Sequence, residues 1–370
     1  MIDSIHGAPS WRIENDRVRV AITREAGMIA PVEFRLENDR SVSPYALAPW
    51  QPEDLDDSLP PLLRLLRGDF LCLPFGPQEN GDPHGASANR EWKLDAHSDD
   101  ALTLQMTDAD GGATIRKSLS LESHQTALYQ HIEIDQLSGE WSYGNHPILD
   151  FSRLPEGAGR LSVSPFRWAS VYPGLFSAPE RNESQALEPH ARFDELTAVP
   201  LADGGTTDLT RYPARAGNDD LVMMVNQPSS ATQPFAWSAS VLDGYVWFSL
   251  KNPADFPATL FWLSNGGRQD APWNGRHTGR VGIEEVCSHF SDGVEVSRQH
   301  PLDGIPTTRS FSPEKTTSLK LIQAVAAVPD DFGMVTHILP SDDHHVIIHG
   351  ESGKKITTPV NWAFLFSSHH

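Results

Sequence analysis

Short alternating runs punctuated by turn residues, with almost nothing that reads as a helix, constrain this chain more than any other feature. Arg17–Thr23 (RVRVAIT) puts Val18, Val20 and Ile22 on one face, the two-residue period of a half-buried strand. Ala101–Met106, Ala113–Leu121 and Ala127–Ile134 repeat the pattern, joined by DADGG and ESHQT segments suited to short turns. Leu221–Val225, Phe235–Val241, Tyr245–Leu250, Ala258–Leu263, Arg280–Val286 and Thr317–Ala326 are also strand-like. The best helical candidate, Asp54–Leu66, is held to a short segment by Pro60 and Pro61. Many short strands without alternating helices predict an all-β sandwich or barrel. Pro179–Asn218, rich in Pro, Gly and Asp, reads as a surface excursion rather than a linker, because the strand pattern resumes unchanged after it. The expectation is one domain over residues 1–370.

A chain of 370 residues can bury a large core without staples, so Cys72 and Cys287 read as structural thiols. The formal net charge of −20 repels phosphate backbones and anionic lipid, which argues against nucleic-acid and membrane partners. The opening MIDSIHGAPSWRIENDRVRV has no basic stretch followed by an apolar one, and no apolar run approaches the ~20 residues that span a bilayer. A soluble, cytoplasmic protein is expected. Most of the ten tryptophans suit a β core, and a minority could stack on sugar faces.

Three segments can carry chemistry. In RGDFLCLPFGPQENGDPHGASANREW, Gly85 permits a tight turn that can hold the His84 imidazole toward a cleft. In YGNHPILDF, Pro147 restricts His146 to extended backbone at a strand start, where an imidazole of ordinary pKa ~6.5 is a usable acid. In GRVGIEEVCSHF, strand parity sets Glu284 on one side with Gly282 and Val286, and Glu285 on the other with Ile283, solvated at the strand end. Taken singly, each also fits a loop histidine, a structural histidine or a surface carboxylate. No metal is expected: the pairs His344-His345 and His369-His370 point to opposite faces of a strand, and no metal-ligand spacing occurs. No G-x-S-x-G elbow marks a nucleophile.

Taken in order, these islands resemble the aldose 1-epimerase (galactose mutarotase-like) family. The matching pieces are the opening pair VRVAITREAGMIAPVEFRL, Arg67, Pro74-Phe75-Gly76, His84-Gly85, Trp92, Asn145-His146 and Ile283-Glu284. Departures are the single glycine in Ala26-Gly27-Met28, Leu66 before Arg67 in place of Asn, and Glu285 where a Pro usually follows the base. Asn145-His146-Pro147 is closer to divergent branches that include hexose-6-phosphate mutarotases.

The resemblance implies a large antiparallel β-sandwich that interconverts sugar anomers without a cofactor. It implies His146 as general acid and Glu284 as general base, with Arg67 and His84 orienting the sugar. Asp243 is a further substrate-contact candidate by its place between acid and base, though an aspartate before Gly244 also suits a turn. Trp273, beside Gly275 and Arg276, is the loop-borne stacking candidate. The implied partner is a small sugar or sugar phosphate. A non-catalytic carbohydrate-binding protein of the same fold is the alternative, and a polysaccharide lyase or hydrolase domain a third.

Overall fold

The computed structural model describes residues 2–37, 39–56 and 58–367; the terminal His369-His370 pair lies outside them. The chain forms two compact units that interleave along the sequence. The first takes the chain up to Pro147, with Asp255–Pro257 and Glu285–Gln323; the second takes Ile148–Ala254, Ala258–Glu284 and the chain from Ala324 onward.

In the first unit, Asp3–Ile5, Ala8–Glu14, Val18–Thr23, Ile29–Arg35 and Ser41–Val42 form an antiparallel meander. Trp11 lies opposite Ile22 and Val20 opposite Val32, so the alternating apolar residues share one buried face. A second meander joins Lys93–His97, Ala101–Met106, Thr114–Ser120 and Ala127–Asp135. The histidine-bearing ladder is short: Leu71–Cys72 and the carboxyl end of Arg280–Cys287 flank Tyr143–Asn145, with Asn145 opposite both Leu71 and Glu285.

In the second unit, Asn218–Asn226 pairs with Phe166–Val171 on one side and Ala258–Asn265 on the other. Every residue of Ala258–Asn265 is buried, so both faces of this strand are covered. That is why its sequence runs apolar instead of alternating. Ile148–Asp150 pairs with the amino end of Arg280–Cys287, and Gly159–Val163, Ala236–Val241 and Tyr245–Lys251 form a further ladder. A meander of Val335–Asp342, His345–Gly350 and Lys355–Pro359 follows. It lies beyond the last run read from the sequence, although Val346 and Ile348 are buried alternately.

Of the expected Asp54–Leu66 helix only Pro61–Leu65 is α-helical. Pro61 is preorganised for a first turn, whereas Pro60 keeps Leu59 out of the helical region. The Pro179–Asn218 excursion is mostly irregular but is pinned at Leu187, Val199, Leu209 and Tyr212, all fully buried. The antiparallel sheets make this an all-β sandwich.

Candidate functional site

In the first unit two of the predicted residues meet. The chain enters the His84 turn with positive φ at His84 (61°) and Gly85 (74°). A Cβ on Gly85 would lie 2.1 Å from the Leu73 carbonyl oxygen, so only glycine fits. His84 N–H donates to Gly76 O at 2.8 Å, and Gly76 N–H donates back to His84 Nδ1 at 3.2 Å. An accepting Nδ1 puts the ring proton on Nε2. Desolvation pushes the His84 pKa down to about 4, so this imidazole is neutral at pH 7.

His146 is buried, and its backbone N–H donates to Phe70 O at 3.0 Å. Its ring stacks on Phe70 with centroids 4.7 Å apart and 19° between planes. Phe75 stands edge-on to His84 at 4.9 Å.

Behind these rings lies a buried polar network with no counterpart in the sequence reading. Asp69, fully buried, accepts from Gln130 Nε2 at 2.6 Å, Gln323 Nε2 at 2.8 Å and Asn145 Nδ2 at 3.2 Å. Burial raises the Asp69 pKa, opposed by Lys117 and by the three amide donors. Lys117 Nζ, also buried, donates to Gly27 O at 3.0 Å, and burial pushes its pKa down to about 8. Since Asp69 precedes Phe70 and Asn145 precedes His146, the network ties together the two backbone segments that seat the imidazole. Asp69, Gln130 and Gln323 are scattered through the chain, and no local signal links them.

Arg67 is placed differently from an exposed sugar-binding arginine. Its guanidinium donates from Nε to Leu65 O (2.8 Å), from Nη1 to Ile5 O (3.1 Å) and from Nη2 to His6 O (2.9 Å). It thereby clamps the first hairpin turn, and burial pushes its pKa down to about 10.

The second unit holds the carboxylate. Glu284 and Gly282 share a face of Arg280–Cys287, as parity predicts: a Cβ on Gly282 would fall 2.6 Å from Glu284 Oε1 and 3.2 Å from Trp262 Cβ. The Glu284 side chain therefore lies back over a glycine beside Trp262. It is 2% exposed, and burial pushes its pKa up to about 8 against the pull of Arg268. Glu285, expected to be solvated at the strand end, is fully buried instead, because this end of the strand pairs with Tyr143–Asn145, with Asn145 opposite Glu285.

Around Glu284 the second unit gathers an aromatic corner. Trp262 stacks on His277 (5.3 Å, 14°), and Trp273 stands edge-on to His277 at 5.1 Å and to Trp262 at 5.9 Å. Ser264 Oγ donates to Asp219 Oδ2 at 2.8 Å and lies 2.7 Å from His277 Nδ1. With its one proton on Asp219, this serine sits between the two groups and is not activated as a nucleophile. His277 and Asp219 carried no motif; Trp262 and Trp273 were legible as a Trp-rich segment. Asp243 is exposed at the turn between Ala236–Val241 and Tyr245–Lys251, beside Gly244 at φ 68°.

Thus His84 and His146 come together in the first unit with Arg67 turned to backbone, and Glu284 and Trp273 belong to the corner of the second. Among the described residues no group of three His, Cys, Asp or Glu side chains is arranged to hold a metal, and no helix is long and apolar enough to cross a membrane.

No family model matches the sequence, and no curated protein matches it. Solved structures do. A galactose mutarotase related enzyme of Lactobacillus acidophilus is 12% identical, with 87% of this chain and 98% of that one aligned at a TM-score of 0.54. A galactose mutarotase-like protein of Lactobacillus casei is 16% identical over 85% and 99% of the two chains, at 0.53. An aldose epimerase homologue of C. elegans is 11% identical over 87% and 100%, at 0.58. Identities this low speak for architecture alone, and on architecture they agree with the resemblance carried by the sequence islands. The chain has the galactose mutarotase-like β-sandwich fold.

Proposed function

We propose that this protein interconverts the α and β anomers of a hexose or hexose phosphate by acid/base opening of the ring. One group takes the proton of the anomeric hydroxyl while another protonates the ring oxygen. Rotation about C1–C2 and reclosure, with the roles reversed, give the other anomer. We assign His146 as the acid and ionised Glu284 as the base, each step worth ~10²–10⁴-fold. His84 and Trp273 are assigned to holding the sugar, while the bonding of Arg67 and the exposure of Asp243 favour structural work for those two.

The observation that carries this reading is Glu284, a rigidly strand-borne carboxyl with a pKa pushed up to about 8 in a corner of aromatic rings. A carboxyl poised near the working pH is suited to proton exchange.

Exchange NMR between the anomers of D-glucose, D-galactose and their 6-phosphates tests the proposal. At least one sugar should exchange faster with protein than without, and Glu284→Gln should slow that exchange by ~100-fold or more. If none exchanges faster the enzyme reading falls, and saturation transfer without exchange would mark a carbohydrate-binding protein instead.

A further inference from the structure

Arg215, Arg268 and Arg280 each keep a buried donor without an acceptor, and of the three it is Arg268 that lies among the aromatic rings of the Glu284 corner. Its guanidinium carbon lies 4.9 Å from the Trp273 ring centroid, 5.2 Å from Trp262 and 5.3 Å from Phe176. Three aromatic rings surround the guanidinium carbon, so the cation is held among ring systems and its N–H groups remain for hydrogen bonding. Among the described residues that guanidinium donates no hydrogen bond; Asp219 Oδ2 lies 3.6 Å from its buried Nε. Arg67 in contrast spends its donors on three carbonyls, and Arg309 places Nη1 2.6 Å from Asp255. Arg268 Nε itself is sealed from a ligand, so the donors open to one are the terminal Nη groups, which no acceptor among the described residues takes up. The side chain is 21% exposed, which leaves it reachable, and its charge acts on Glu284.

Charge decides which ligand. Asp219 is saturated by Ser264 Oγ (2.8 Å), Gly267 N (2.8 Å), Asn265 N (3.1 Å) and Trp262 Nε1 (3.3 Å), and it balances Arg268. The other nearby cations face carboxylates of their own: Arg280 lies 2.5 Å from Asp150, and Arg215, which donates to Thr207 at 3.0 Å, feels the charge of Asp220. A phosphate would add negative charge to a pair already neutral, in a unit that also holds Asp220 and Glu284. A hydroxyl oxygen would take the same donors at no such cost.

We propose that Arg268 is a further substrate-binding residue whose terminal N–H groups take neutral hydroxyl oxygens of the sugar and so select an uncharged hexose over its phosphate. This rests on the reading that the Glu284 corner handles a sugar, and it names both the contact and the substrate class.

Dissociation constants for D-glucose, D-galactose and glucose 6-phosphate, measured by saturation-transfer and chemical-shift titration on wild type, Arg268→Gln and Arg268→Lys, test it. Wild type should bind a neutral hexose about tenfold or more tighter than the phosphate, and Arg268→Gln should lose about ten- to a hundredfold for the hexose. Arg268→Lys keeps the charge beside Asp219 but not the flat fork, and should not restore binding; it also serves if the glutamine variant fails to fold. Hexose binding within twofold of wild type in Arg268→Gln, or full rescue by lysine, overturns the assignment, and a wild-type preference for the phosphate overturns the selectivity. Wild type that binds hexose through Arg268 without anomeric exchange defeats the catalytic reading and leaves Arg268 standing. Wild type that binds no sugar defeats both.

Discussion

The imidazole of His84 meets that of His146 edge to face, with ring centroids 5.4 Å apart and 80° between planes. One member of this pair is fixed as a neutral donor by Gly76, and its pKa of about 4 keeps it from titrating between pH 5 and 8. His84→Asn should therefore lower the exchange rate by about tenfold or more through lost positioning, while leaving the shape of the pH–rate profile between pH 5 and 8 unchanged. A limb that shifts in His84→Asn would show that His84 carries the titrating proton.

Glu284 makes stability fall as pH rises. Its folded pKa of about 8 lies above the ordinary 4.5, so between those values the folded state holds a proton that the unfolded state has released. Stability on this account is full below about pH 4.5 and is lost progressively up to about pH 8, at most ~1.4 kcal/mol per pH unit. Glu284→Gln, which cannot ionise, should gain in Tm relative to wild type between pH 5 and pH 9, read by thermal scans at both. A constant difference across that range would refute the buried neutral carboxyl. The same ionisation predicts an exchange rate that climbs through about pH 8, with that limb absent in the glutamine variant.

Gly85→Ala puts a methyl group 2.1 Å from the Leu73 carbonyl at a backbone φ of 74°. Both the clash and the left-handed backbone oppose it, so a loss of ~3 kcal/mol or more is expected by urea denaturation. A loss under 1 kcal/mol would mean the turn relaxes easily and does not fix His84.

Asp69→Ala strands three buried amide donors and leaves Lys117 without its nearby carboxylate. A cost of ~3–5 kcal/mol is expected, against a far smaller loss for Asp331→Ala at the exposed Lys354 pair. Equal effects in the two variants would show that the network contributes no more than a surface ion pair.

We propose that the two units unfold as one domain. The chain passes between them after Pro147, Ala254, Pro257, Glu284 and Gln323, so neither is a continuous segment that could separate at a linker. Calorimetry should give one transition with matching calorimetric and van't Hoff enthalpies. Two resolved transitions would establish separate domains.

Local period alone marked several of the longest strands. Ala101–Met106 is found with the bounds its alternation predicts, and the Gly282–Glu284 face follows from parity. Order of motifs sufficed for the fold, because turn residues and strand starts recur at positions that the backbone itself dictates. Tertiary structure decided the rest. Arg67 is spent on carbonyls of residues near the amino terminus, Asp69 draws its donors from Gln130, Asn145 and Gln323, and Arg268 is caged by Phe176, Trp262 and Trp273. A side chain's partners and its desolvation depend on what folding brings across long stretches of chain, and no local pattern records that. Hence Glu284 could be picked out as a strand carboxylate from sequence, but only its burial over Gly282 against Trp262 raises its pKa to about 8.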